Sequence, residues 1–132
     1  MKILIADDEA HNRVLLQGVL EPYGACDQAV NGREAVDAVR FALEDGTPYD
    51  LICLDIMMPE LDGQDALAEI REMEREHGLG GAHQTPIFMI SALDTEEQVV
   101  RAFFQGGCTD YITKPASREK VLTKLREHRV IE

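Results

Sequence analysis

One stretch of the chain decides both the fold and the location of a site: residues 49–63 read YDLICLDIMMPELDG. Within it, residues 50–54 form the most continuously apolar run, which predicts a strand buried near the middle of a sheet. Pro59 and Gly63 predict a loop directly after that strand. Asp55 therefore stands at the carboxyl end of a central strand, where the loop begins.

The same pattern recurs on both sides of this stretch, because strand-like apolar runs alternate with helical patterns from end to end. Further strands are predicted at residues 2–6, 25–30, 86–90 and 110–113. Helices are predicted at residues 11–23, 31–45, 63–77, 95–106 and 117–128. Five successive βα units predict an α/β fold, with a doubly wound parallel sheet of five strands, helices on both faces and right-handed crossovers.

The spacing of apolar residues predicts which face of each helix is buried. The face predicted for the first helix comprises Leu15, Leu16, Val19, Leu20 and Tyr23. The face predicted for the second comprises Ala35, Val36, Val39 and Ala42. The third helix is predicted to turn Ala66, Leu67, Ile70 and Met73 inward and its charges outward. The glycine-rich residues 78–85 predict the one flexible insert.

Polar residues follow four of the predicted strands directly: Asp7 with Asp8, Asp55, Ser91 and Lys114. Ligands of open parallel sheets bind outside these carboxyl ends. Three acids meeting there repel one another strongly, so the cluster calls for a divalent cation. Carboxylate oxygens suit Mg²⁺ or Mn²⁺. The combination predicts that Asp55 attacks phosphorus to form an acyl phosphate, while the metal, Lys114 and Ser91 stabilise the phosphoryl oxygens.

Taken singly, each of these residues has a simpler interpretation. An aspartate after a strand is more often a helix cap than a nucleophile. Ser91 alone would be a turn residue, and Lys114 alone a solvated strand end. Four strand ends that converge on one chemistry favour the functional interpretation over the separate structural ones.

Composition limits the remaining function classes. The 132 residues fit one domain, and 45% apolar content supports an ordinary core. The net charge of −12 argues against direct binding to nucleic acid. Cys26, Cys53 and Cys108 are an odd set without a CxxC pair, which predicts reduced structural thiols. Because no apolar run approaches about 18 residues, we expect no membrane span and a cytoplasmic location.

The chain resembles the receiver domain of two-component response regulators, of the type seen in the chemotaxis response regulator. The matching segments are ILIADDE at residues 3–9, YDLICLDIMMPELDG at 49–63, ISA at 90–92 and GCTDYITKP at 107–115. The resemblance covers residues 1–128 and leaves residues 129–132 as a C-terminal tail. It implies a flavodoxin-like sheet with strand order 2-1-3-4-5.

The resemblance also implies a role for each acidic position. Asp55 would be the phospho-acceptor. Asp8 and Asp55 would bind the metal directly, and Asp7 would bind it directly or through water. Met57 would offer its backbone carbonyl to the same ion.

Four further roles follow from the resemblance. Lys114 would bind the phosphoryl group, and its peptide bond to Pro115 would be cis. Ser91 would be the switch hydroxyl that moves toward the phosphate. Tyr111 would be the switch aromatic that turns inward when this happens.

The resemblance implies partners as well. A sensor histidine kinase or a phosphotransfer protein would donate the phosphoryl group and dock near residues 11–22. An unidentified target protein would bind the face formed by residues 95–105 and 111–128. The protein would be a monomer or a phosphorylation-dependent dimer, would bind neither nucleic acid nor membrane, and would catalyse only its own phosphorylation and autodephosphorylation. It would be a stand-alone receiver or one cut from a longer regulator.

Met57 and Leu93 flank the line of attack of a hydrolytic water, and both are apolar, so we expect slow to moderate autodephosphorylation. Three alternatives remain open at this point. A flavin carrier would need a Gly/Ser/Thr-rich loop where Asp7-Asp8-Glu9 stands. A haloacid-dehalogenase-type phosphatase would need Asp-x-Asp after the first strand. A receiver used only for docking would not need its complete set of acids, hydroxyl and lysine.

Overall fold

The computed structural model describes residues 1–132 as one five-stranded parallel sheet with helices on both faces. The strands are β1 (Lys2–Ala6), β2 (Ala25–Ala29), β3 (Leu51–Leu54), β4 (Ile87–Ser91) and β5 (Asp110–Thr113). The helices are α1 (Ala10–Leu20), α2 (Gly32–Glu44), α3 (Gly63–Glu76), α4 (Glu96–Val100) and α5 (Arg118–Glu127). The order β2-β1-β3-β4-β5 confirms the predicted α/β class and topology.

The strand order creates a switch point between β1 and β3. The chain leaves β1 toward β2 on one side and returns to place β3 on the other. Ala6 pairs with Leu54 in this register, so the residues that follow them, Asp7 and Asp55, lie side by side. Ligands of such a sheet are predicted to bind at this switch point.

Alternation along the strands divides the core into two clusters. Leu4, Ile52 and Met89 point toward α2 and α3, whereas Ile3 and Phe88 point toward α1 and α5. All four residues of β3 are buried, as expected for a central strand. None of the helices has both the length and the apolar composition needed to cross a bilayer.

Several helices begin with a side-chain cap. The side chains of Asn31, Thr95 and Ser117 each accept a hydrogen bond from the backbone N–H three residues later. The Glu34 carboxylate reaches back to the N–H of Val30 at 3.0 Å. Asn31 and Glu34 therefore both hold the start of α2 in place.

The prediction for α1 is partly wrong. Leu15 is 57% exposed instead of buried, and Leu20 is the only fully buried residue of the helix. Leu15 and Leu16 line a groove of about 540 Å³ between α1 and the loop after β5, where Pro115 and Ala116 form the opposite wall. The apolar face exists, but no other part of the chain fills the groove.

The prediction that the charges of α3 face outward is also partly wrong, because Glu72 and Arg75 are exposed but two other charged residues are not. Arg71 and Glu74 are 4% and 1% exposed and form an ion pair at 2.7 Å. Arg71 also donates to the carbonyls of Gly107 and Thr85, and Glu74 accepts from the N–H of Thr85. Charged residues are buried when they are paired in this way. The pair holds the end of the 78–85 insert, which contains a short 3₁₀ helix at Gly81–His83.

Two other segments differ from expectation. The helix predicted to reach residue 106 is α-helical only to Val100 and continues as a π-helix over Arg101–Gly106. Ile131, predicted to lie in a C-terminal tail, is buried in the cluster beneath α5. The packed unit therefore continues past residue 128.

Candidate functional site

Three carboxylates converge where β1 and β3 end. One oxygen from each of Asp7, Asp8 and Asp55 lies within 4.8 Å of the others. Asp7 and Asp55 are each 6% exposed, whereas Asp8 faces solvent. Adjacent pairing of β1 and β3 brings together two acids that are 48 residues apart in sequence.

Lys114 neutralises part of this charge from the loop after β5. Its Nζ donates to Oδ2 of Asp7 at 2.7 Å and to Oδ2 of Asp55 at 2.9 Å. Burial alone would lower the pKa of Lys114, but the hydrogen bonds and charges of the two carboxylates outweigh it and raise the pKa. The Lys114 N–H donates to the Ser91 carbonyl at 2.9 Å, and the Lys114–Pro115 peptide bond is cis.

The Asp55 carboxylate is held by its own loop as well as by Lys114. Its Oδ1 accepts a hydrogen bond from the N–H of Ile56 at 2.7 Å and a longer one from Met57 at 3.4 Å. The chain returns close to this point at Gly63, whose N–H donates to the Ile56 carbonyl at 2.8 Å. A Cβ at Gly63 would collide with the Asp55 carbonyl oxygen, so the start of α3 needs a glycine here.

Ser91 and Tyr111 meet at the backbone of Leu93. The fully buried Ser91 hydroxyl accepts from the Leu93 N–H at 3.2 Å, and the Tyr111 hydroxyl donates to the Leu93 carbonyl. The Tyr111 ring packs against the core cluster beside α3. Burial raises the pKa of Tyr111, and the charges of nearby acids raise it further. A hydrogen bond between the Ser91 and Tyr111 side chains acts in the opposite direction. Both predicted switch residues therefore contact the loop that leads into α4.

Asp55 opens to solvent through a small cavity of about 180 Å³. Its walls are Asp8, Glu9, Asn12, Asp55, Met57, Ala92 and Lys114. Met57 is 60% exposed, and Met57 and Leu93 both line a second groove of about 490 Å³ that leads to α4. Of the two predicted flanking residues, Met57 thus lines the cavity at Asp55, whereas Leu93 lines the neighbouring groove.

Sequence reasoning missed three contributors to the site. Glu9 donates its N–H to Oδ1 of Asp7 at 2.9 Å, and Asn12 lines the cavity beside Lys114. Arg13 donates from Nη1 to the Asp7 carbonyl at 2.8 Å. The only available signal was their place at the start of the helix that follows Asp7 and Asp8.

The donor set fits a divalent cation. Three carboxylates with oxygens this close form a hard, anionic site, and Asp8 leaves it open to solvent. Lys114 alone neutralises one of three charges, so the cluster still has an excess of negative charge. The residues present therefore fit the Mg²⁺ site that the sequence predicts.

A second group of potential ligands, Asp110, Glu127 and His128, does not fit a cation in the same way. The Lys124 ammonium already lies 3.3 Å from Asp110 and 3.5 Å from Glu127. Burial alone would raise the pKa of Asp110, but hydrogen bonds from His128, the Tyr111 N–H and Lys124 hold it below its ordinary 3.8. This group attaches α5 to β5.

Comparison with known proteins gives close relatives over nearly the whole chain. The chain is 40% identical over 126 residues to the transcriptional regulatory protein ResD of Bacillus subtilis, covering 95% of this chain and 46% of ResD. It is 37% identical to the two-component response regulator ORR41 of Oryza sativa, covering 96% of this chain and 94% of ORR41. The chain thus spans about half of one relative and nearly all of another.

A solved structure gives the same result for the fold. The complex of CheX with CheY, BeF₃ and Mg²⁺ from Borrelia burgdorferi contains a chain that matches with a TM-score of 0.83 and 28% identity, covering 97% of this chain and 88% of the other. The family model described as the response regulator receiver domain matches residues 3–126. On this shared sequence and topology, with acids gathered at the β1–β3 switch point, the chain belongs to the family of response regulator receiver domains of two-component systems.

Proposed function

We propose that Asp55 accepts a phosphoryl group from the phosphohistidine of a sensor histidine kinase or a phosphotransfer protein. The observation that carries the proposal is the position of the Asp55 carboxylate. It lies at the end of the central strand, bound by Lys114 at 2.9 Å and clustered with Asp7 and Asp8. Receiver domains act between histidine kinases and downstream targets, and this site has the groups that such a transfer needs.

The transfer joins two anions, so charge neutralisation is its main requirement. An Asp55 oxygen attacks phosphorus while the P–N bond to the donor histidine breaks, and the electron pair leaves on the imidazole nitrogen. Lys114 is already in place beside Asp55, and its ammonium can turn to a phosphoryl oxygen as that oxygen arrives. The new acyl phosphate carries the excess negative charge, and the Lys114 ammonium then neutralises part of it.

The three acids and the backbone carbonyl of Met57 would hold Mg²⁺, and Mn²⁺ has the same preference for hard oxygen ligands. The ion would supply the positive charge that lets Asp55 and the phosphoryl group approach each other. Backbone hydrogen bonds orient the Asp7 and Asp55 carboxylates for this role. Glu9 fixes one oxygen of Asp7, and Ile56 fixes one oxygen of Asp55.

Phosphorylation would then be transmitted through Leu93. If the Ser91 hydroxyl turns toward the phosphoryl group, its contact with the Leu93 N–H at 3.2 Å is lost. Tyr111 contacts the carbonyl of the same residue, so the loop and the aromatic ring respond together. Two arrangements of one packed loop make a two-state switch.

The helix that follows this loop is suited to movement. No side chain of α4 over Glu96–Val100 is fully buried. A main contact between α4 and the rest of the domain is a hydrogen bond that Nε2 of Gln64 donates to the Gln98 carbonyl at 2.9 Å. Segments with few buried contacts open at low free-energy cost. The exposed Val100, Phe103 and Phe104 on this helical segment, with β5 and α5, would form the target-binding face.

The kinase or phosphotransfer protein would dock on the other side of the acceptor. Val14 and Leu15 of α1 are exposed, and the apolar groove beside them ends at Asp7 and Lys114. A helix of the donor seated in this groove would bring its phosphohistidine to Asp55. The protein would act in the cytoplasm, where these kinases present their phosphohistidine.

The phosphoryl group would be hydrolysed slowly to moderately. Met57 lines the cavity at Asp55 and Leu93 lines the adjoining groove, and neither apolar side chain can orient an attacking water. The protein would therefore catalyse its own phosphorylation and autodephosphorylation without turning over other substrates.

The test is covalent labelling of the purified protein with acetyl phosphate and Mg²⁺, read by intact mass and by sensitivity to hydroxylamine. The wild type should gain one phosphoryl group that hydroxylamine removes, and Asp55→Asn should gain none. Asp37→Asn, an exposed acid on α2, is the matched control and should label like the wild type. Labelling of Asp55→Asn at the wild-type level would refute the assignment of the acceptor.

A further inference from the structure

Asp7 is fixed at all four of its polar groups. Its N–H donates to the Ala29 carbonyl at 3.1 Å. Its carboxylate oxygens accept from the Glu9 N–H at 2.9 Å and from Lys114 at 2.7 Å. Its carbonyl accepts from Nη1 of Arg13 at 2.8 Å. The last contact is the only one of the four made by a side chain outside the acidic cluster and its lysine.

The Asp7 carbonyl is available to Arg13 because β2 leaves the sheet at this level. In a parallel ladder the N–H and the carbonyl of one residue face the same neighbouring strand. After the bond to Ala29, the Asp7 carbonyl would pair with the N–H of residue 31. Asn31, however, caps α2 and lies beyond the end of the β1–β2 pairing. The Arg13 guanidinium therefore makes the hydrogen bond to the Asp7 carbonyl that a longer β2 would have made.

Arg13 is itself held in a fixed orientation. It lies in the first turn of α1, where its N–H donates to the Glu9 carbonyl at 3.1 Å. Its Nε donates to Oε1 of Gln28 at 3.1 Å, and Gln28 in turn donates to Gln17 at 2.6 Å. A planar guanidinium can serve two such acceptors at once, whereas an ammonium on a flexible stem holds one of them less firmly.

The charge of Arg13 does not explain this arrangement. A positive group beside three carboxylates competes with any cation that they bind. Arg13 bonds to the backbone carbonyl of Asp7 and not to a carboxylate, so its contact orients the residue.

We propose that Arg13 is a positioning residue that holds the Asp7 backbone so that its carboxylate faces the metal site. This inference rests on the proposed function, in which Asp7 is a metal ligand. Loss of a group that orients a ligand from outside the coordination shell typically weakens metal binding about 10–100-fold. The backbone bond to Ala29 remains in the absence of Arg13, so the lower end of that range is expected.

The experiment measures Mg²⁺ affinity of the full chain by isothermal titration calorimetry, with thermal unfolding recorded in parallel. Arg13→Met should weaken Mg²⁺ binding about tenfold. Arg13→Lys keeps a charged donor on a side chain of similar length and should recover most of that affinity. Gln28→Ala, the matched control, removes the Nε partner, leaves the contact to Asp7 and should bind Mg²⁺ within about twofold of the wild type.

Equal or tighter Mg²⁺ binding by Arg13→Met overturns the proposal, because removal of a positive charge alone gives that result. An equal loss in Gln28→Ala also overturns it, since the effect would then follow general stability of α1. If Arg13→Met does not fold, Arg13→Ala replaces it, because alanine has no donor for the Asp7 carbonyl, and the same outcomes apply. Mg²⁺ binding that falls in Arg13→Met while the wild type takes up no phosphoryl group would refute the proposed function and leave this inference standing.

Discussion

Replacement of Gly63 by alanine should separate the loop that follows Asp55 from the start of α3. A Cβ at this position would overlap the Asp55 carbonyl oxygen, and it would lie 2.7 Å from the Asp55 carbonyl carbon and 2.8 Å from Cα of Ile56. Real Cβ atoms essentially never come within 3.0 Å of such atoms. Both partners are backbone, so no side chain can rotate away. The hydrogen bond from Gly63 to the Ile56 carbonyl must lengthen when the two segments move apart.

Two magnitudes follow from this overlap. Overpacking of this kind typically costs about 1–3 kcal/mol of unfolding free energy. A displacement on the order of 1 Å at a reacting group can lower a rate about 100-fold. We therefore expect Gly63→Ala to remain folded but to take up phosphoryl groups from acetyl phosphate about 100 times more slowly than the wild type.

The assay compares initial rates of labelling by intact mass, together with urea denaturation of the same samples. Gly18→Ala is the matched control, because no atom lies within 4 Å of a Cβ built at this helical position. That variant should label at the wild-type rate and gain about 0.5–1 kcal/mol of stability. A wild-type labelling rate in Gly63→Ala would show that the close approach of α3 does not position Asp55.

Three further predictions concern stability and are measured by urea denaturation. Leu15→Ser should change the unfolding free energy by no more than about 0.5 kcal/mol, whereas Leu20→Ala should cost about 2–5 kcal/mol, and similar losses at both positions would contradict the exposed setting of Leu15. Arg71→Met leaves the buried Glu74 carboxylate unpaired and should cost about 3–5 kcal/mol; a loss below about 1 kcal/mol would refute burial of the pair. The pKa of Asp110 is lowered in the fold, so its stabilisation is fully present above its ordinary value of 3.8 and disappears as the pH falls through the lower folded value. The difference in stability between wild type and Asp110→Asn should therefore shrink in acid below that pH, and a difference that stays constant there would contradict the shift.

Much of the site could be predicted because it depends on strand ends. Apolar runs of strand length locate β1 and β3, and the α/β pattern makes them parallel. Asp7 and Asp55 then meet through register alone, since Ala6 pairs with Leu54. Lys114 follows from the same logic at the end of β5.

The features that sequence reasoning missed depend on contacts between distant segments. Arg71 pairs with Glu74 within α3, but its burial also requires carbonyls at Gly107 and Thr85. No periodic pattern records those partners, so the usual preference of charges for solvent gave the wrong prediction. The predicted burial of Leu15 was wrong for the opposite reason. The sequence pattern reveals an apolar helix face but not whether another part of the same chain covers that face.

The burial of Ile131 has a practical consequence for fusion proteins. Ile131 packs beneath α5, and the Arg126 side chain donates to the Glu132 carbonyl at 3.4 Å. A fluorescent reporter appended after Glu132 would start from an anchored point and not from a loose tether. Rotation or translation of α5 would be passed directly to the reporter, so a short linker should give a larger optical signal than a long flexible one.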